Sequence, residues 1–467
     1  MPPLMRLIDC SAANGAEELL RLRSLLGAEG QVVSERSREL TRRVFGEDLT
    51  PFQVVDRVCD SVRTEGLPAL LRFTEHFDRA KLTPETMRVS ATELAEARYA
   101  SLREAPDFLA VCRRIKRNII SFQSGILHRD ATMRQPGRME LGLRYRPVKR
   151  AALLVPGGAA AYPSTLLMTA CPAQAAGVSE IVVVMPPTPF AGYHRDMLAL
   201  CHDLGISEVY RVGGAQAVAA MAYGVEGIAP VDLIVGPGNL FVALAKKHVF
   251  GTVGIDCIAG PSEVVVLADP QAPPEFVAAE LLAQAEHSPG SAVLVTWSAG
   301  LIEAVSEELE KQLASLSRAS LTRDALARYG ALVLARDATE AVSIVNQLAP
   351  EHLQIAATDP ESLGNRIVNA GAIFLGHYSP VALGDYAAGP SHVLPTGGSA
   401  RWASGLTAND FLKRTSMIRF EPEGFRRIAA DVESLAEIEG LTAHARSVQV
   451  RREELERRQA APARTAP

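Results

Sequence analysis

The sequence predicts an α/β protein of two Rossmann-like lobes with parallel sheets, the second inserted in the first, and helical segments at both ends. Three observations carry that expectation. After Tyr145 the chain repeats short apolar runs of branched residues that do not alternate and are bounded by Gly and Pro, the pattern of strands covered on both faces. Between the runs lie stretches at helical spacing, such as AGYHRDMLALCHDLG and PPEFVAAELLAQAEH, which gives a β-α-β-α order. The third is size: 467 residues exceed one ordinary domain, and Gly-rich breaks at 156–161 and 258–262 mark where the chain leaves one lobe and returns.

Taken in order, residues 1–149 form a helical N-terminal segment and the start of the first lobe. In PFQVVDRVCDSVRTEGLPALLRFTEHFD, Val54, Val55, Val58, Val62 and Leu67 recur on one side of helical stretches. The second lobe, 150–261, carries the runs AALLVPGG, EIVVVMPPTP and DLIVGPGN. The first lobe continues over 262–404 with EVVVLADP, SAVLVTW, ALVLARD and GAIFLG. A helical C-terminal segment follows at 405–450, and RREELERRQAAPARTAP (451–467) reads as a charged helix end running into a disordered tail.

Composition narrows the function classes. Apolar residues make up 48% and charged residues 22%, which suits a folded globular chain. The net charge of −5 provides no field to hold nucleic acid. Six separated cysteines show neither zinc-knuckle nor disulfide spacing. Arg6 and Asp9 break the apolar run of the N-terminus, and no run reaches the length of about 20 residues that crosses a bilayer. The expectation is a cytoplasmic protein without membrane or nucleic-acid partners.

Candidate chemistry gathers in four places. Gln284 and His287 of AQAEH stand three residues apart at a helix end, so an amide oxygen and an imidazole can grip one ion. In NQLAPEHLQI, Pro350 suggests a helix start that presents Glu351 and His352, a carboxylate beside a base; a solvated pair would look the same. The Gly/Pro-rich stretch 376–406 holds Asp385, Tyr386 and His392 in an ordered loop at a strand's carboxyl end, where α/β proteins bind ligands. EGLTAHA adds Glu439 and His444. No G-x-G-x-x-G fingerprint occurs; VPGGAAAYPST, VGGAQAV and GPGN are Gly turns that either cradle phosphate or merely connect. Spacing alone thus reaches a metal-assisted enzyme of two α/β lobes.

Together, VPGG…YPST, GGAQAVAAMAYG, GPGN-x-FV-x-x-AK, GID-x-x-AGPSE, AQAEH, APEHL, GDYAAGPSHVLPT and EGLTAH follow one order over about 300 residues, and the chain resembles the histidinol dehydrogenase family. The resemblance implies a zinc-dependent homodimer that oxidises L-histidinol to L-histidine in two steps with two NAD+. It implies zinc held by Gln284, His287, Asp385 and His444, the last reaching over from the partner subunit with Glu439. It implies Glu351 and His352 as the acid/base pair. Substrate contacts fall to Ser262, Gln284, His287, His352, Asp385, Glu439 and His444, and nucleotide contacts to Gln216 and Asn239. The donor set is a borderline N/O one that suits Zn2+. Leu154 stands where the family commonly has an aromatic beside the nucleotide, and SPGSAVLVT after His287 is shorter than usual. Three rivals remain: a paralogue acting on another amino alcohol or diol, a metal-dependent hydrolase, and a two-lobed solute-binding protein.

Overall fold

The computed structural model describes residues 4–26, 35–136, 138–158, 160–258, 260–287 and 290–460. The chain opens on β1 (Arg6–Asp9) and then runs through helices as far as Gly125. β2 (Ala131–Gln135) and β3 (Met139–Pro147) follow as an antiparallel pair. Next come β4 (Arg150–Leu154), β5 (Glu180–Val184), β6 (Glu208–Tyr210), β7 (Leu233–Val235) and β8 (Gly254–Ile255). They form one parallel sheet in the order β6-β5-β4-β7-β8. β9 (Glu263–Ala268), β10 (Ser291–Thr296), β11 (Ala331–Leu334), β12 (His352–Ala356) and β13 (Ala372–Leu375) complete a second parallel sheet. Its order is β1-β11-β10-β9-β12-β13, so the chain between β1 and β9 builds the other sheet before returning. β14 (Leu412–Phe420) pairs antiparallel with β3, and helices Pro422–Ile438 and Thr442–Ala460 end the described chain.

Two compact units result: residues 1–127 with 148–411, and residues 128–147 with 412–467. The first contains both parallel sheets, whose strands are buried throughout at β4, β9, β10 and β12. That is why their sequences read as unbroken apolar runs. Helices Pro51–Glu65 and Leu67–Asp78 lay Val54, Val58, Leu70 and Phe73 against Ala152, Val182 and Ile234 of the five-stranded sheet. Burying each such side chain contributes about 1.5–3 kcal/mol relative to leaving it in water. Among the described residues no helix is long and apolar enough to cross a membrane.

Four expectations need correction. Pro350 does not start a helix. The helix Ala338–Leu348 ends at Ala349, whose left-handed φ of 49° is a C-terminal turn, and Pro350 follows as a helix terminator before His352 opens β12. The apolar run HLQIA is too short for periodicity to separate strand from helix. Residues 412–420 are a strand rather than part of a helical terminus; Lys413, Arg414 and Arg419 are exposed and hide its pattern. The tail does not begin at 451: the charged helix end expected there takes up ten residues, to Ala460, held by pairs such as Arg458 to Glu454 at 2.8 Å. The rest of that stretch, 461–467, lies outside the described residues, as do Ser288 and Pro289 of the segment after His287 that is expected to be short. Finally, 376–406 is not wholly irregular, since Val381–Tyr386 is a short helix.

Candidate active site

The sheet brings two sequence-distant dipeptides together. β12 lies beside β9 with His352 in register with Val264, so Glu351–His352 faces Ser262–Glu263. Four contacts join them. Ser262 Oγ donates to Glu351 Oε2 at 2.6 Å, and the Glu263 backbone N–H donates to the same oxygen at 2.9 Å. In return Glu351 N–H donates to Glu263 Oε1 at 3.2 Å. His352 Nδ1 stands 3.1 Å from the Glu263 carbonyl, where it donates, which aims Nε2 at the remaining space. Glu351, His352 and Glu263 are all buried.

Asp385 completes this cluster, with Oδ1 3.4 Å from His352 Nε2. It rides on the helix Val381–Tyr386, whose first N–H, that of Val381, donates to Glu280 Oε2 at 3.0 Å. The helix turns back along the sheet so that Gly384 lies against Phe374 of β13. The cluster therefore forms at the amino ends of β9 and β12, not at a strand's carboxyl end as the position of the loop suggests. His392 Nδ1 donates to the Asp385 carbonyl at 2.9 Å.

The electrostatics follow from this crowding. Burial drives the His352 imidazole down, but the carboxylates of Glu351 and Asp385 outweigh it and hold its pKa well above 6.5. Burial raises Asp385, and the imidazoles of His352, His392 and His287 more than reverse it, leaving it below 3.8. Glu263, buried and beside the charge of Glu351, is pushed up to about 8.

Gln284 ends the helix Pro274–Ala285, and His287 lies one turn on, its N–H bonded to the Gln284 carbonyl at 3.2 Å. A Cβ at Gly290 would sit 2.1 Å from that carbonyl oxygen, so only glycine permits the chain's return there. The Gln284 amide is buried and its nitrogen has no partner among the described residues. Gln284, His287 and Asp385 are thus the residues in this unit that could hold a cation. Among the described residues no three of His, Cys, Asp and Glu gather tightly enough to do so by themselves. Glu439 and His444 belong to the second unit, both exposed around the turn between its two terminal helices.

A cavity of about 400 Å³ lies in the first unit. Its walls include Leu154–Gly158 after β4, Thr188 after β5, Gln216 after β6 and Asn239 after β7. Asn239 caps the helix Leu240–Val249, accepting the Val242 N–H at 3.1 Å. Gly236 has φ 114°, and a Cβ there would lie 2.3 Å from the Leu154 carbonyl oxygen. Its turn is fixed by a buried ion pair, Lys246 with Asp256: Lys246 Nζ donates to the Gly236 carbonyl at 3.0 Å, and Gly236 N–H to Asp256 Oδ2 at 2.7 Å. Sequence reasoning missed Glu263 and Glu280; their signal was a carboxylate inside or beside an apolar run, costly unless the fold uses it.

The sequence model of the family described as histidinol dehydrogenase matches residues 45–452. Histidinol dehydrogenase of Rhodopirellula baltica is 57% identical over 445 residues, covering 95% of this chain and 96% of that relative. The histidinol dehydrogenase of Thermosynechococcus vestitus is 46% identical over 90% of this chain and 96% of its own length. Among solved structures, histidinol dehydrogenase from Elizabethkingia anophelis superposes with a TM-score of 0.87 at 31% identity, covering 98% of this chain and 100% of that one.

Proposed function

The chain belongs to the histidinol dehydrogenase family, an oxidoreductase family of histidine biosynthesis, and from that premise we propose that it oxidises L-histidinol to L-histidine in two NAD+-dependent steps on the Glu351–His352 pair. The observation that supports this most is the clasp between Ser262–Glu263 and Glu351–His352, which fixes a carboxylate and an imidazole beside Asp385. In the first oxidation His352 acts from its neutral imidazole form, which, with its pKa raised, becomes more abundant as pH increases, and takes the hydroxyl proton at Nε2; NAD+, when bound, would supply the acceptor for the hydride, giving the aldehyde. In the second, Glu351 takes a proton from water as its oxygen adds to the aldehyde carbon, and the hydrate loses a second hydride to give the carboxylate. Two NADH and three protons are released overall.

The residues present fit a divalent cation. The amide nitrogen of Gln284 is buried without a partner among the described residues, and exchanging its oxygen and nitrogen puts an unsatisfied acceptor one turn from His287, whose imidazole acts on Asp385. Zn2+ held by Gln284, His287, Asp385 and His444 of the partner subunit would supply a template for the substrate's imidazole and amine. The second unit leaves Ile418, Leu435 and Ile438 exposed, which supports a second chain covering it and a homodimer with Glu439 and His444 shared between subunits. Gln216 and Asn239, on the cavity wall, are the proposed nucleotide contacts. The setting is the cytoplasm, without membrane or nucleic acid.

The test is NADH formation by the purified protein. L-histidinol should yield two NADH per molecule, and simple diols should turn over far more slowly. Faster turnover of a diol, or ester or amide cleavage without NAD+ reduction, would overturn the assignment.

A further inference from the structure

Asp78 is the one ionisable side chain among the described residues lining the cavity between the ends of β4 and β7. In the order β6-β5-β4-β7-β8 the chain builds β5 and β6 on one side of β4 and β7 and β8 on the other. That reversal opens the crevice where doubly wound sheets lodge dinucleotides. Such folds commonly place a carboxylate at the end of the second strand to bind a ribose 2′-hydroxyl. Here the second strand, β5, ends in Met185-Pro186-Pro187-Thr188, with no acid.

Asp78 reaches the cavity from elsewhere. It ends the helix Leu67–Asp78, which packs on the same sheet through Leu70 and Phe73. One carboxylate oxygen, Oδ2, accepts Gln216 Nε2 at 3.2 Å. Burial pushes its pKa up to about 6, so it is still mostly ionised at neutral pH. Among the described residues no ion pair engages it, and no Lys or Arg lines the cavity.

We propose that Asp78 accepts the hydroxyl hydrogens of the adenosine ribose and thereby fixes NAD+ over NADP+. A free 2′-hydroxyl gives a charge-assisted hydrogen bond to the carboxylate. A 2′-phosphate brings about −1.5 to −2 charge against this carboxylate, in a cavity where the described lining residues offer it no cation. The inference rests on the nicotinamide reading above and adds the residue that selects the dinucleotide.

The experiment measures kcat/KM for NAD+ and for NADP+, with saturating L-histidinol, in the full-length wild-type protein, Asp78→Ser and Asp78→Asn. The wild type should favour NAD+ by about 100-fold or more. Both variants should narrow that ratio by at least about 10-fold, chiefly through the two dinucleotide KM values. Asp78→Asn keeps the side chain's shape and decides the matter if Asp78→Ser does not fold. An unchanged ratio in a folded variant overturns the assignment of Asp78 while leaving the dehydrogenase reading intact. A wild type that reduces neither dinucleotide overturns both.

Discussion

Ser262 Oγ lies 2.6 Å from Glu351 Oε2 although 89 residues separate them in the chain. With the Glu263 N–H on the same oxygen, the carboxylate is held at one angle. Removing the hydroxyl by Ser262→Ala forfeits a hydrogen bond to a charged group, of about 1.5–3 kcal/mol. Turnover should fall about 10- to 100-fold, and more for oxidation of the aldehyde than of the alcohol, because only the second step uses Glu351 on water. Steady-state rates with the two substrates check this; equal losses would place Ser262 elsewhere in the reaction.

Glu263→Gln keeps one side-chain oxygen for the N–H groups of Glu351 and Gly397, which Glu263 Oε1 accepts at 3.2 and 3.0 Å. It removes a carboxyl raised from 4.5 to about 8. Between those pH values the folded chain keeps a proton that the unfolded chain has lost, so the wild type loses stability as pH rises through the window. Thermal midpoints between pH 5 and 9 should therefore show Glu263→Gln gaining on the wild type as pH increases. Parallel curves would mean that Glu263 is ionised throughout.

Lys246→Met strands Asp256, whose side chain is 2% exposed, as an unpaired buried carboxylate beside the Gly236 turn. The cost should be about 3–5 kcal/mol in urea unfolding. Adding Asp256→Asn should recover part of it, because the uncompensated charge goes. No recovery would trace the loss to packing instead.

His352→Asn should cut turnover by about 10²–10⁴ while sparing metal content, the range for a lost acid/base group. His287→Asn should lose zinc and activity together. Elemental analysis of each purified variant beside its rate separates the two roles.

Much of the parallel framework was legible because strands such as EVVVLA and SAVLVT are buried on both faces and leave unbroken apolar runs. β14 was not legible, since its residues are mostly exposed and its partner β3 lies far away in sequence. HLQIA misled because Pro350 ends one helix as readily as it starts another. The motif residues Gln284, His287, Glu351, His352 and Asp385 were named from short patterns. The meeting of Glu351, His352 and Asp385 depends on register between β9 and β12 and on the backward turn of Val381–Tyr386, which no local pattern encodes. Asp78 was invisible for the same reason: its partner Gln216 is 138 residues away.

Mixing His352→Asn protein with His444→Asn protein tests most directly whether each site is completed by its neighbour. Under proven subunit exchange, every mixed dimer carries one site with both changes and one with neither. Equal amounts should therefore regain about a quarter of wild-type activity. No recovery would contradict the shared site and place His444 outside the chemistry of the other chain.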